Sequence, residues 1–204
     1  MARRSEHSLE EIKEMILKAA EDIIIMDGLQ ALKVRRIALE IGYTVGTIYM
    51  VFENMADLII HVKARTLDEL GDFLDEYLPD VPSDRQVIIL AKKYLEFASQ
   101  NYNLWSMIFE HRLSKDQAIP EWYQDKVDQA FVRIEKLLAQ LAPGYGQTYV
   151  QEAARAIWSG VHGICILSLT DRLSGAEIQK IEGNIMLLVE NFIRGWVLTS
   201  ESNH

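Results

Sequence analysis

The chain has 204 residues, 49% of them hydrophobic, and a formal net charge of −9. That length suffices for one generous domain or two small ones with real cores, and the apolar content excludes a disordered tail. The single cysteine, Cys165, excludes an intramolecular disulfide framework and fits a reducing compartment. The apolar runs are all far shorter than a membrane span, and Met1 to Glu14 is charged throughout, so a cytoplasmic chain without an export leader is expected.

The first predicted helix runs from about Ser8 to Asp27. Ser8 and Glu11 have the spacing of a capping box, and Gly28 stops the helix. Its apolar positions, Ile12, Met15, Ile16, Ala19, Ala20, Ile23 and Ile24, follow helical spacing. Two short helices follow. Ile37 and Ile41 lie on one face of the first, Ile48 and Phe52 on one face of the second, so the pairs can close a small core. Gly42 falls where a left-handed backbone is needed, Thr44 caps the next helix, and Ala38 is small where two helices cross. That is a helix-turn-helix, with Thr44, Val45, Gly46, Thr47 and Tyr49 facing outward as a major-groove reader would require.

A long helix then begins after Asn54 and continues to about Leu78, before Pro79. We expect the domain boundary inside it, near His61 to Ala64: residues 1–60 form the DNA-binding head and 61–204 a separate helical body. Ser83 with Gln86 predicts a capped helix to about Gln100, followed by helices from Asn103 to Leu113 and from Pro120 to Leu141. Pro143 to Gly146 is a loop. The last helices span Gln147 to Leu169 and Gly175 to Thr199, the latter with a capping box at Ser174 and Glu177. The expected fold class is all-α: a three-helix head and a helical C-terminal body.

Charge bears on the head. Residues 1–60 carry seven Lys or Arg against ten Asp or Glu. Position matters more than the total. Arg3 and Arg4 form a basic arm, and Lys33, Arg35 and Arg36 cluster at the start of the second helix, set for phosphate contact. The acids of the first helix can face solvent, which suits modest non-specific affinity.

Gly28, Val34-Arg35-Arg36-Ile37-Ala38, Gly42-Tyr43-Thr44-Val45-Gly46-Thr47-Ile48-Tyr49, Phe52 and Leu58 stand in one register. Together they resemble the tetracycline-repressor (TetR) family. Three positions differ from its usual pattern: Met55 replaces a phosphate-reaching Lys, Val51 a His or Tyr, and Lys33 a capping Thr. Trp158, His162 and Gly163 resemble a Trp-x-x-x-His-Gly signature of one subgroup. The resemblance implies a homodimeric, sequence-specific regulator, usually a repressor, on a palindromic double-stranded operator, released by a small apolar or amphipathic effector. It implies that the last two helices pair with their copies, through Gly160, Gly163, Ile164, Leu167, Ile185, Leu188 and Phe192. It also implies an effector cavity in the body, for which Trp105, Phe109, Trp122, Tyr123, Trp158 and His162 are the candidates. Ordinary core packing competes for these aromatics, and packing across the dimer competes for His162.

Catalysis is not expected. Ser159 and His162 are near in sequence, but no acid is placed to orient the His. Cys165 sits between Ile164 and Ile166 as an inert core thiol, and the five His show no metal-ligand spacing, so neither metal nor cofactor is expected. The rival function is a ligand-binding or protein-interaction module whose head has lost DNA affinity, which Met55, Val51 and the acidic head would suit. Operator sequence, effector identity, target genes and the choice between repressor and activator are not encoded legibly.

Overall fold

The computed structural model describes residues 7–76, 79–110, 118–169 and 178–202. Among these residues all regular structure is helical. The elements are α1 (Leu9–Asp27), a 3-10 turn (Leu29–Ala31), α2 (Val34–Glu40), α3 (Val45–Tyr49), α4 (Met55–Asp75), α5 (Ser83–Gln100), α6 (Tyr102–Glu110), α7 (Glu121–Leu141), α8 (Gln147–Leu169) and α9 (Ile178–Ser202). The expected all-α class holds.

The chain forms two compact units. The first is Met1–Asp68 with Asn101–Tyr123, the second Glu69–Gln100 with Gln124–His204. This division differs from a cut at 60/61 in two ways: α4 stays with the first unit as far as Asp68, and α6 joins that unit too.

In the first unit, Ser8 caps α1 through the expected capping box with Glu11. Gly28 ends the helix at φ 76°, its amide bonded to Ile24 O at 2.8 Å. The inward stripe of α1 meets Ile37, Ile48, Phe52 and Leu58, all but fully buried. Each such side chain contributes about 1.5–3 kcal/mol by leaving water. Leu104 and Met107 of α6 complete this core, and Asn103 Nδ2 donates to Ile25 O at 2.9 Å. The α4 helix is fastened to its neighbours by polar contacts. Arg65 pairs with Glu14 (2.7 Å) and Glu21 (2.6 Å) of α1, and buried Lys63 donates to Ile108 O of α6 at 2.8 Å.

In the second unit, α5, α8 and α9 pack together, with Ile181, Ile185, Val189, Ile193 and Trp196 as the inward stripe of α9. Trp196 Nε1 donates to Leu138 O at 3.0 Å, joining α9 to α7. The capping box expected at Ser83 is not formed: Ser83 already lies within α5, and its hydroxyl donates to Gln140 Oε1 at 2.8 Å. The carbonyl of Pro82 instead accepts from the amides of Arg85 and Gln86, and the Gln86 side chain donates to Val81 O. Proline fixes the entry by itself. The capping box at Ser174 and Glu177, and the ends expected at Leu78, Leu113 and Gly175, fall outside the described residues.

Candidate functional site

The turn between α2 and α3 explains how a five-residue helix is held. Gly42 takes φ 71°, Tyr43 N donates to Ala38 O at 3.0 Å, and Gly42 N to Leu39 O at 3.2 Å. This pair of bonds is a Schellman motif, which satisfies the last carbonyls of α2 and reverses the chain. Thr44 then caps α3, its hydroxyl accepting from Thr47 N at 3.3 Å. Ile48 points inward and is fully buried, so the opposite face of α3 must point out. Thr44, Gly46 and Tyr49 are exposed on it, Tyr49 by 45%, while Val45 and Thr47 are half-buried beside them. Met50, just beyond α3, is 72% exposed, an apolar residue out of step with the inward pair Ile48 and Phe52.

The cations are less uniform. Lys33 and Arg35 stand exposed, with no ion pair among the described residues. Arg36 is paired with Asp27 at 2.6 Å and lies 4.0 Å from Glu40. Arg3 and Arg4 lie outside the described residues. The segment after them is anchored: His7 Nδ1 and Tyr43 Oη share a hydrogen bond of 2.7 Å, tying the approach to α1 onto the turn.

The start of α4 is already satisfied. Asn54 Oδ1 accepts from the amides of Ala56 (2.8 Å) and Asp57 (3.0 Å), and Asp57 accepts from Glu53 N (2.9 Å). Met55 packs against the head core. The departure at Met55 thus comes with a local reason: its side chain is half-buried, and a carboxamide occupies the amides next to it.

The six effector candidates fall in separate units. Trp105, Phe109, Trp122 and Tyr123 belong to the first. Trp105 is fully buried against Tyr102 and Phe109, and burial pushes the Tyr123 hydroxyl up to about 12. Trp122 is partly exposed and stacks on His61 at 4.8 Å, with Phe52 edge-on to the same imidazole. Burial lowers the His61 pKa, and Asp57 partly offsets this.

Trp158 and His162 belong to the second unit, where a cavity of about 80 Å³ lies between α4, α5, α7, α8 and α9. Trp158, Tyr94 and Phe131 line it with aliphatic neighbours, and Arg133 is its one cation among the described residues. Trp158 stacks on His162 at 5.0 Å, and His162 Nδ1 shares a 2.9 Å hydrogen bond with Tyr94 Oη. Burial lowers the His162 pKa. Tyr94, Phe131 and Arg133 escaped the sequence reading because they reach the cavity from two helices, α5 and α7, and no single periodicity contains them.

The presumed pairing surface is mixed. Gly160 has an intramolecular reason to be small: a Cβ there would stand 2.7 Å from Leu188 Cδ2. Ile185 is on the inward stripe, and Phe192 stacks on Trp196. Ile164 is half-buried, Gly163 has nothing within 4 Å of a would-be Cβ, and Leu167, Leu187 and Leu198 are exposed. Burial raises the Cys165 thiol to about 12, which leaves it unreactive. No group of residues that could hold a metal occurs among those described, and no described helix is long and apolar enough to cross a membrane.

A helix-turn-helix head on a helical body defines a class, the helix-turn-helix transcriptional regulators. Residues 16–62 match the family described as bacterial regulatory proteins, tetR family, and residues 87–190 match the tetracyclin repressor-like C-terminal domain. The chain belongs to the TetR family of DNA-binding transcriptional regulators and is not an enzyme. It is 22% identical over 175 residues to an HTH-type transcriptional regulator of Mycobacterium tuberculosis, covering 86% of this chain and 78% of that protein. Among solved structures, a protein of unknown function from Rhodococcus sp. RHA1 superposes with a TM-score of 0.73 at 19% identity, covering 96% of this chain and 98% of that one. A TetR variant from Acinetobacter baumannii AYE in complex with minocycline superposes with a TM-score of 0.66 at 14% identity, covering 91% and 96%.

Proposed function

We propose that this chain is a ligand-responsive repressor that binds a palindromic operator as a homodimer. The observation that carries the reading is the outward face of α3, with Thr44, Gly46 and Tyr49 exposed beside Lys33 and Arg35. Lys33, Arg35, Arg3 and Arg4 hold phosphates and set the register, while Thr44, Val45, Gly46, Thr47 and Tyr49 read base edges. DNA binding resides in residues 1–60, effector binding and dimerisation in the remainder, with α6 bracing the head. The subgroup signature is Trp158, His162 and Gly163. The minocycline complex of the Acinetobacter protein supports effector control. Here the effector would occupy the cavity at Trp158, backed by the Tyr94–His162 pair. Dimerisation uses the outward sides of α8 and α9 around Gly163, Leu167, Leu187 and Leu198.

The mechanism is a shift in the spacing of the two heads, carried by α4. An effector that binds better to the wrong spacing lowers operator affinity by its differential affinity for the two states. Selecting fragments from a random duplex library with the full-length protein tests the reading. A two-fold symmetric consensus with half-sites about one helical turn apart is expected, with affinity falling steeply with salt. Failure to enrich any sequence would favour the second reading, an interaction module with a weakened head. One observation favours that alternative: Asp27 already neutralises Arg36.

A further inference from the structure

Arg133 occupies an unusual place. Its side chain borders the apolar cavity of the second unit, yet its guanidinium is held from outside by α4. Nε donates to Asp75 Oδ1 and Nη2 to Asp75 Oδ2, a bidentate pair. The fork also stands close to bare backbone one turn earlier, where a Cβ at Gly71 would be 3.3 Å from Nη2. Gly71 and Asp75 are four apart, so one face of α4 receives the whole guanidinium. The pair depresses the Asp75 carboxyl and raises Arg133, with Asp72 adding to the second effect.

The Asp75 side chain is 61% exposed. Exposed pairs add little to stability, and a released carboxylate returns to water easily. A second carboxylate that brings its own apolar body into the cavity would gain burial that Asp75 cannot, and the planar fork accepts either bidentately.

We propose that the cavity takes a small apolar carboxylate whose carboxyl group displaces Asp75 from Arg133, unlatching α7 from α4. The proposal rests on the effector reading above and names the ligand class and the switch. At about 80 Å³ the cavity admits roughly five to eight water-sized groups, a single ring or a short chain. Trp158, Phe131 and Leu74 embrace the body, and the carboxylate meets the cavity's one described cation. A neutral analogue fills the same space but has no stake in whether Arg133 holds Asp75, so it cannot shift that equilibrium through the clasp.

The test is calorimetric titration of the full-length protein with butyrate, hexanoate and benzoate and with their primary amides, at neutral pH. At least one acid should bind ten-fold or more tighter than its amide. Arg133→Gln should erase that preference while leaving amide binding in place, and Arg133→Lys, which keeps the charge but not the fork, should retain part of it. Asp75→Asn removes the competitor, so it should tighten the acid several-fold and leave the amide unchanged. Thermal unfolding confirms that each variant is folded. Equal affinity of acids and amides, no binding by any probe, or an Asp75→Asn variant that binds the acid no better would each overturn the inference. Operator binding separates the two readings. An amide that releases DNA as well as its acid keeps effector control and sinks the clasp. An acid that binds through Arg133 but leaves DNA affinity unchanged upholds the site and sinks effector control.

Discussion

Tyr49 is large, nearly half exposed and anchored on a helix whose other face is buried. Tyr49→Ala should therefore cost about 1–3 kcal/mol in operator affinity with no loss of helicity. Equal operator binding by a fully folded variant would rule out this docking face. Asn54 is a different kind of residue: its carboxamide holds two amides at the start of α4. Asn54→Ala should lower stability by about 1 kcal/mol in urea unfolding. Lys63 tests burial. Its pKa falls to about 8 because the ammonium is desolvated, so above pH 8 the unfolded chain holds a proton that the folded one has shed. Stability from this group then rises with pH between about 8 and the ordinary Lys value, by up to about 1.4 kcal/mol per unit. The urea midpoint of the native protein minus that of Lys63→Met should grow across that window; a flat difference would show that Lys63 is not desolvated. Tyr123 and Cys165, both pushed up to about 12, act in the opposite sense and cancel in the comparison. The roles of Gly28, Gly42 and Thr44 were legible because each is a local backbone requirement. Lys63 was not, since its burial depends on α6, which lies far along the chain.

At the level of elements, α8 and α9 separate two kinds of glycine. Gly160 faces Leu188 of its own chain, and Gly163 faces open space. Gly160→Leu should therefore destabilise each protomer, with overpacking costing about 1–3 kcal/mol independently of protein concentration. Gly163→Leu should leave the protomer intact and act on assembly alone, seen as a dissociation constant raised in analytical ultracentrifugation. If both variants behave alike, the outward side of α8 is not the pairing surface. The start of α8 at Gln147 was legible, because a loop at Pro143 to Gly146 precedes it and continuous apolar spacing follows. Which of its glycines faces which neighbour was not: both satisfy the same spacing, and only the position of α9 decides. Ser83 makes the same point, for its capping signature was overridden by Pro82 on one side and Gln140 on the other.

For the molecule as a whole, the four tryptophans are shared between the units. Trp105 and Trp122 belong to the first, Trp158 and Trp196 to the second. Total emission therefore reports on both, contrary to what a boundary at residue 60 implies. A ligand entering the cavity should change the emission of Trp158, so Trp158→Phe should abolish the ligand-linked signal while Trp122→Phe keeps it. Linkage fixes the size of the partner effect: operator DNA must weaken ligand binding by the factor by which ligand weakens DNA binding. Unequal factors in the two directions would mean that the titrations follow different processes. The long helix after α3 was legible as an element that leaves the head, and α4 passes from the first unit to the second at Asp68. The membership of α6 was not legible, because its apolar face would suit either core.

The first unit is discontinuous, since α6 returns to it after α5 has left. Leu104 and Met107 sit in the same core as Ile16 and Ile48. Recombination thus cannot treat the head as a cassette. A graft of residues 1–60 onto a foreign body would arrive with a hole where α6 belongs, and a working chimera must carry the stretch from Asn101 to Tyr123 with it. New combinations of operator and effector are then easier to reach by changing exposed side chains on α3, or cavity side chains, than by exchanging whole segments of the gene.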